Sequence, residues 1–318
     1  MTSRAKRNQA AELQVQLLRE GIVESRHIAH AVVSDSRGRV LSLAGDAETE
    51  TFVRSALKPF QALAVTTTGT LERYGLDDRD LAIMCSSHQG SMEQVRQAFH
   101  ILWRADLETS MLKCPTPEGK DSPLRHNCSG KHAGMLAVCQ QRNWPLDSYL
   151  HRNHPVQLLI LGKVSELLGM PADEFIVAHD DCGAPTYLMQ LSQMSTLFAK
   201  LASGDSLDME RIVRAMTHHP ALVGGPDTFD TDLMQLTDGE LVSKSGAEGI
   251  QCVGRVGEGL GLAIKVQDGS KRAKYAIAIH LLKQLGWILP AVAETLAENY
   301  MLLGEYKRLD VLGELSLI

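Results

Sequence analysis

A serine and a lysine three residues apart are the first side chains in this sequence that could do chemistry together, in Ser55-Ala56-Leu57-Lys58. The apolar spacing of residues 55–69 predicts a buried helix, on which residues i and i+3 project from one face. A serine hydroxyl becomes a nucleophile when a base removes its proton, and a lysine amine is such a base where burial or neighbouring cations lower its pKa. The motif alone is more typical of a serine helix cap beside a solvated lysine, so its interpretation depends on other segments.

A second polar segment, residues 85–88 (CSSH), directly follows the apolar run of residues 81–84. Serine and histidine at the end of a strand are frequent in active sites, which makes Ser87 a candidate. A polar loop that caps a helix starting near Met92 would contain the same residue types. The segment therefore gains meaning only in combination with others.

Residues 127–135 (NCSGKHAGM) crowd amide, thiol, hydroxyl, amine and imidazole groups into a turn that enters a predicted helix. Cys128 and Lys131 are three positions apart and can therefore point together. Cys182, in the segment 180–182 (DDC), supplies a second thiol, and soft thiolate ligands suit zinc. Lysine must lose its proton before it binds a metal, and two unrelated packing cysteines would give the same spacing. A metal site and ordinary packing both remain open.

Lys265 is a further candidate because it lies inside an apolar run near the C-terminus. An alternating strand would place it on one face with Ala263 and Gln267. There it either faces solvent or is a partly buried amine suited to acid–base chemistry.

The elements that must position these residues follow one another in three stretches. Residues 13–44 alternate in the manner of strands, which predicts a strand meander. Residues from about 81 to 201 have mostly helical spacing, and the last predicted helix covers 186–203. The final third returns to short strands, although its run 273–286 could equally open as a helix.

Strands from both ends around a helical middle predict a single domain over residues 1–318. One mixed sheet would carry a helical subdomain, roughly residues 85–205, inserted between its N-terminal and C-terminal segments. Because ligand sites prefer such junctions, we expect the site between the two parts.

Composition narrows the functional classes. The 318 residues are 44% hydrophobic and 22% charged, and the net charge of −6 is spread along the chain without a basic run. Binding to nucleic acid or to a membrane is therefore not expected. The N-terminal stretch lacks a signal-peptide pattern and no segment approaches ~20 apolar residues. We expect a cytoplasmic protein whose six cysteines remain thiols.

Together these segments resemble the L-asparaginase II family of rhizobial type. The most specific stretches are RSALKP at 54–59, CSSH at 85–88, NCSGKHAGM at 127–135, DDC at 180–182 and the Gly-rich approach to Lys265. The resemblance covers about residues 21 to 284, whereas 91–124 and 283–318 match little. It implies an α/β (α+β) fold similar to serine β-lactamases and penicillin-binding proteins, with a mixed, mostly antiparallel sheet, helices and a mostly helical subdomain.

The resemblance also implies a reaction, the hydrolysis of L-asparagine to L-aspartate and ammonia by two Ser-Lys pairs. The pairs are Ser55 with Lys58 and Ser87 with Lys265. We expect Ser55 to attack the side-chain amide carbon with Lys58 as its base, while the second pair relays the proton to departing ammonia. The roles of the two pairs are open to exchange. Selectivity against glutamine is open too, because one methylene changes discrimination by only ~1–3 kcal/mol.

Further residues match positions around the substrate in this family. Zinc is implied at Cys128, Lys131 and Cys182, where it would position substrate rather than activate water. The implied substrate contacts are Arg54, His132 and Asp180. Lys244, near the β-lactamase-like K-[ST]-G position, ranks second to these. A homodimer is implied by the family alone.

Two other functions share some of these features. A penicillin-recognising hydrolase or peptidase also has S-x-x-K and a Lys-Ser-Gly segment, but neither an export signal nor a role for residues 127–135 supports it. A non-catalytic amino-acid or zinc-binding regulator on the same scaffold would not require a second buried Ser-Lys pair.

Overall fold

The computed structural model describes residues 9–318. Residues 1–8, which begin the stretch inspected for a signal peptide, lie outside the described residues. Two compact units make up the described chain. The sheet unit comprises the chain up to Ala56, Met189–Gly204 and Asp232–Ile318, and the helical unit comprises Leu57–Leu188 and Asp205–Thr231.

The secondary structure alternates between these units along the chain. The strands are β1 (Leu13–Arg19), β2 (Ile22–Asp35), β3 (Val40–Ala44), β4 (Glu50–Phe52), β5 (Val177–His179), β6 (Pro185–Gln190), β7 (Leu241–Gly246), β8 (Ile250–Arg255), β9 (Leu260–Val266), β10 (Lys307–Leu312) and β11 (Ser316–Leu317). The α-helices are α1 (Lys58–Gln61), α2 (Leu63–Thr66), α3 (Thr70–Tyr74), α4 (Asp78–Met84), α5 (Met92–Arg104), α6 (Ser129–Arg142), α7 (Pro155–Leu168), α8 (Leu191–Leu201), α9 (Leu207–His218), α10 (Pro220–Val223), α11 (Phe229–Leu236), α12 (Lys271–Gln284) and α13 (Pro290–Tyr300). Short 3₁₀ turns cover Arg54–Leu57, Thr109–Met111, Pro123–Arg125 and Ala172–Glu174.

An antiparallel sheet forms the core of the sheet unit, in the order β10-β1-β2-β9-β8-β7, with β3 beside β2 and β11 beside β3. The long strand β2 pairs with β1 and then with β3 along one edge, and with β9 along the other. Buried side chains alternate along the first part of β1, whereas the second half of β2 is buried on both faces because it lies in the middle of the sheet. The three predicted strands form consecutive antiparallel pairs, but β1 and β3 lie along the same edge of β2, so the predicted meander is wrong in its strand order.

Helices α8 and α12 pack on this sheet. Gly261 lets α8 come close to β9, because a Cβ at this position would lie 2.0 Å from the carbonyl oxygen of Ser195. The hydroxyls of Ser34 and Ser195, 2.6 Å apart and buried, join β2 to the same helix. The sheet and its covering helices thus form one closely packed body.

Two predicted elements differ from the structure or were left open. The helix predicted over 186–203 is wrong in its first part, where Pro185–Gln190 is strand β6 and pairs with β5. The bulky, partly β-branched residues of this stretch suit a strand, and a capping box between Gln190 and Gln193 starts the helix only at Leu191. The run 273–286 is helical, because Ser270 caps α12 through the backbone N–H of Ala273.

Consecutive helices pack closely in the helical unit. Capping boxes at Asp77 and Ser91 fix the starts of α4 and α5. Helix α6 is buried along most of its length, and it approaches α4 so closely that a Cβ at Gly130 would lie 2.1 Å from the carbonyl oxygen of Ile83. A glycine at this point therefore sets the spacing of the two helices that carry the polar segments.

The boundaries of the helical unit differ from the predicted 85–205. The unit starts at Leu57 because α2 packs on α6 and α7, and α4 packs on α9. It excludes Met189–Gly204 because α8 packs on the sheet. Mostly antiparallel strands with helices and a largely helical part confirm the predicted fold class. Within residues 9–318, each helix is too short or too polar to cross a lipid bilayer.

Candidate active site

The segment that carries the S-x-x-K motif is not the continuous helix that was predicted. A 3₁₀ turn covers Arg54–Leu57, and helix α1 begins at Lys58. Pro59 has no backbone N–H that could donate to a carbonyl oxygen of the preceding turn. The 3₁₀ turn and helix α1 therefore do not join into one α-helix. Arg54 opens the turn with a φ of 51°, a backbone conformation that non-glycine residues adopt at a cost. Ser55, half-buried, belongs to the end of the sheet unit's first segment.

Lys58 is fully buried, and polar groups from two other segments surround its amine. Its Nζ donates to the carbonyl oxygens of Ser86 at 2.5 Å and Asn127 at 3.3 Å, and to the hydroxyl of Ser87 at 3.0 Å. The amine is thus held away from solvent, and its nitrogen lies within proton-transfer distance of one side-chain hydroxyl.

Ser87 follows a helix rather than the strand expected before it, because Asp77 caps residues 78–84 as helix α4. The chain leaves α4 through Cys85, and the backbone N–H of Ser87 donates to the carbonyl oxygen of Val223 at 2.8 Å. This bond holds Ser87 in place beyond the helix end.

The four predicted catalytic residues are divided between the units. Lys58 and Ser87 lie in the helical unit and are in contact, whereas Ser55 and Lys265 belong to the sheet unit. The Nζ of Lys265 donates to the carbonyl oxygens of Glu248 at 2.7 Å and Val266 at 2.5 Å. Partial burial lowers its pKa. The pairs Ser55 with Lys58 and Ser87 with Lys265 stay predictions.

Two other lysines in the sheet unit are more deeply buried than Lys265. Lys244 on β7 is fully buried and donates to the carbonyl oxygen of Ser245 at 2.9 Å. Lys274 on α12 donates to the carbonyl oxygens of Gly246 and Ile250 at 2.8 and 3.1 Å. Sequence reasoning missed Lys274, although a lysine inside the apolar run 273–282 would have indicated a buried amine.

The predicted thiol cluster does come together in the helical unit. The Nζ of Lys131 lies 3.2 Å from the Sγ of Cys182. A hydrogen bond from the Cys182 thiol lowers the pKa of Cys128 well below its usual range, and Lys58 and Lys131 act in the same direction although burial opposes them. The same hydrogen bond and burial raise the pKa of Cys182. Of the two thiols, Cys128 therefore has the lower pKa.

A zinc ion would need donors from this cluster. Among residues 9–318, no three His, Cys, Asp or Glu side chains converge as a metal site, so a third donor has to be Lys131. Burial alone would lower the pKa of Lys131, but Cys128, Cys182 and Asp180 raise it. Two sulfurs and one nitrogen fit a three-ligand site with an open position, provided that Lys131 gives up its proton on binding.

The predicted substrate contacts lie at different depths. His132 is fully buried, its Nδ1 lies 2.6 Å from the hydroxyl of Tyr149, and burial followed by the charge of Lys131 lowers its pKa. Asp180 is half-buried, and the backbone N–H of Asp181 donates to its carboxylate. Arg54 is half-buried in the sheet unit.

His88 was not among the predicted site residues, although the CSSH segment contains it. The hydroxyl of Ser129 lies 2.8 Å from its Nε2, and the backbone N–H of Gly90 donates to its Nδ1 at 3.0 Å. Burial, followed by the charge of Lys58, lowers its pKa to about 3. His88 is therefore neutral and joins the segment of Ser87 to the start of α6.

Comparison with known proteins places the chain by its sequence. Residues 15–317 match the family model described as L-asparaginase II. The match includes residues 283–317, so the resemblance limited to about 21–284 was too narrow. No curated protein has significant sequence similarity.

The solved structures that are similar to this chain have low sequence identity to it. Mglu in its glutamate form is 17% identical over 81% of this chain, with a TM-score of 0.48, and the chain spans 61% of its length. A β-lactamase from Mycobacterium bovis is 14% identical, with coverages of 86% and 95% and a TM-score of 0.38. EstCE1, a hydrolase with promiscuous acyltransferase activity, is 11% identical, with coverages of 83% and 90% and a TM-score of 0.36. On the match over residues 15–317, the chain belongs to the L-asparaginase II family.

Proposed function

We propose that this protein is an amidohydrolase that converts L-asparagine and water into L-aspartate and ammonia. Membership of the L-asparaginase II family supports the substrate. The observation that carries the mechanism is the contact between Lys58 and Ser87, a buried amine 3.0 Å from a hydroxyl. Such a pair can pass a proton, which amide hydrolysis requires twice.

The first half of the proposed reaction forms an ester. Ser55 attacks the side-chain amide carbon of asparagine, and the neutral amine of Lys58 takes the serine proton. Lys58 returns this proton through the hydroxyl of Ser87 to the amide nitrogen, which leaves as ammonia. The C–N bond breaks as the C–O bond of a β-aspartyl ester on Ser55 forms.

The second half reverses the proton path. A water molecule attacks the ester, its proton passes to the Lys58–Ser87 pair, and the proton returns to Ser55 as aspartate leaves. No net proton remains on the enzyme after the cycle.

Substrate binding is assigned to groups that match its ends. Arg54 would bind the carboxylate and Asp180 the ammonium group, with His132 as a hydrogen-bonding contact. Zinc held by Cys128, Lys131 and Cys182 would supply a fixed cation that orients the amino-acid end. A homodimer and a cytoplasmic location are further proposals that rest on the family resemblance and on the sequence pattern.

Ammonia release by purified wild type and Ser55→Ala tests the proposal, with L-asparagine and L-glutamine as substrates. We expect turnover of L-asparagine, and a loss of about 10³-fold or more in kcat for the variant. Hydroxylamine added to wild type should divert the ester to β-aspartyl hydroxamate, and Ser55→Ala should form none.

Ser110→Ala is the matched control, because it removes an exposed hydroxyl that contacts the Glu108 side chain, far along the sequence from the assigned residues. Its rate should equal that of wild type. A folded wild type that leaves both amides intact would contradict the proposal, and covalent labelling by a fluorescent penicillin would instead favour a penicillin-recognising enzyme.

A further inference from the structure

Tyr149 connects a loop to the buried histidine of helix α6. Its side chain is fully buried, and its hydroxyl oxygen accepts a hydrogen bond from the backbone N–H of Lys113 at 3.0 Å. The same hydroxyl lies 2.6 Å from the Nδ1 of His132, and the two rings meet edge to face at 89° with centroids 5.6 Å apart. The histidine ring is thus held by both packing and one strong hydrogen bond.

Counting donors and acceptors assigns the proton in this contact. If the tyrosine hydroxyl donates to Nδ1 of His132, its own proton and its contact with Lys113 are both satisfied, and the imidazole proton is on Nε2. If Nδ1 donated instead, the buried tyrosine proton would lose its partner and Nε2 would still have none. The first arrangement leaves fewer buried polar groups unsatisfied and is therefore favoured.

The remaining nitrogen of His132 has no partner within residues 9–318. His88 provides the contrast, because the same counting gives it a proton on Nε2 but Ser129 accepts that proton and Gly90 donates to Nδ1. Both rings are buried. A buried donor left without an acceptor is rare in folded proteins, so this nitrogen requires an acceptor from a bound ligand or an ordered water.

Helix geometry places this donor beside the thiol cluster. His132 follows Cys128 by four residues, and its backbone N–H donates to the Cys128 carbonyl oxygen at 3.1 Å, so the two side chains share one face of α6. Cys128 in turn contacts Cys182. His132 therefore lies on the helix face that carries Cys128, one of the residues assigned to substrate positioning.

We propose that Tyr149 is a positioning residue, which holds His132 as the Nε2–H tautomer so that this nitrogen donates to an acceptor oxygen of the amino-acid substrate. The inference rests on the proposed function for the identity of the ligand. Tyr149 makes no substrate contact itself, and its hydroxyl donates the hydrogen bond to Nδ1 of His132.

The tautomer is measured directly by two-bond ¹H–¹⁵N correlation spectra of histidine-labelled protein. Wild type should show His132 with its proton on Nε2, and Tyr149→Phe should shift His132 towards the Nδ1–H form while His88 stays unchanged. Tyr187→Phe is the matched control, since Tyr187 is also buried in the helical unit and makes no contact with His132. It should leave both histidines as in wild type.

Steady-state kinetics with L-asparagine test whether the Nε2–H group of His132 binds the substrate. Tyr149→Phe should raise KM for L-asparagine about 10-fold with kcat changed less than about 2-fold, the pattern of a lost binding contact. In His132→Gln, whose amide supplies its own N–H, adding Tyr149→Phe should have no further effect on KM. An effect of equal size in both backgrounds would overturn the positioning role.

The two readouts separate the inference from the proposed function. A wild-type spectrum with the proton on Nδ1 of His132 would overturn the inference whether or not asparagine is a substrate. A correct tautomer together with no binding or turnover of L-asparagine would contradict the proposed function and, with it, the assigned ligand. An unchanged KM in folded Tyr149→Phe would likewise overturn the inference.

Discussion

The two units each offer a lysine for the chemistry, but they bind its amine differently. In the helical unit, Lys58 contacts the hydroxyl of Ser87, a group that can both accept and pass on a proton. In the sheet unit, Lys265 donates to the carbonyl oxygens of Glu248 and Val266, which only accept hydrogen bonds. A buried amine is therefore a candidate for proton transfer when one of its partners is a hydroxyl, and the amine alone does not indicate that role.

Replacing each lysine in turn should give the largest difference in activity between the two units. Lys58→Met should lower kcat for L-asparagine by about 10³-fold or more, because the proton path is lost. Lys265→Met should lower it by less than about 10-fold, because the carbonyl contacts fix a turn rather than move a proton. Ammonia release by the two variants, with circular dichroism as a folding control, decides the point.

If Lys265→Met lowers kcat as much as Lys58→Met does, Lys265 also takes part in proton transfer. That result would support the predicted pair of Ser87 with Lys265. Lys244→Met is a second lysine variant in the sheet unit. Lys244 is fully buried, whereas Lys265 is half-buried, so we expect its replacement to cost more activity and more stability than that of Lys265.

Zinc binding gives an intermediate effect and tests the thiol cluster. Wild type incubated with zinc and dialysed should retain about one equivalent by elemental analysis, as a three-ligand site predicts. Cys182→Ser should retain much less, since it removes a sulfur donor. Cys252→Ser, a buried cysteine of the sheet unit, is the matched control. Equal zinc content in all three proteins would exclude this cluster as the site.

The smallest effect is expected at Asp35 in the sheet unit, where a carboxylate has a structural role. It accepts hydrogen bonds from the backbone N–H groups of Arg37 and Arg39 and from the Arg39 guanidinium. Burial opposes these bonds, yet they lower the pKa of Asp35 below its ordinary 3.8. Because the folded pKa is the lower one, the stabilisation is present above pH 3.8 and is lost as pH falls through the folded pKa.

Asp35→Asn should therefore lower the free energy of unfolding by about 1–2 kcal/mol at pH 7 and flatten its dependence on pH in the acid range. Urea unfolding at several pH values measures both. Ammonia release should stay at the wild-type rate, since the residue supports only a turn of the sheet unit. A large loss of activity without a loss of stability would contradict the purely structural role of Asp35 in the sheet unit.

Much of the fold could be predicted from the sequence because burial imposes a period. Strands β1 to β3 and β8 to β9 appear as short alternating or continuous apolar runs, and α5, α6 and α7 have helical spacing. The helix prediction was wrong over residues 186–190, because periodicity cannot distinguish a strand from a helix over so short an apolar run. The final strands, β10 and β11, escaped notice because half of their residues are exposed at the margin of the sheet.

The candidate site was predictable in its residue types and less so in its contacts. Spacing reports neighbours on one helix, but the polar partners of Lys58 lie 28, 29 and 69 residues away in the sequence. Cys182 was placed with Cys128 and Lys131 by chemistry rather than by spacing. Tyr149 gave no indication at all, because it lies in a loop without a repeating pattern and contributes through a single hydroxyl.

The rate of ammonia release from L-asparagine by Ser87→Ala, relative to wild type, tests whether the contact between Lys58 and Ser87 moves the proton. The substitution removes the hydroxyl that Lys58 contacts and leaves the backbone bond to Val223 intact. We predict a loss of kcat of about 10²-fold or more with unchanged thermal stability. A folded Ser87→Ala that releases ammonia at the wild-type rate would contradict the claim that the Lys58–Ser87 contact moves the proton.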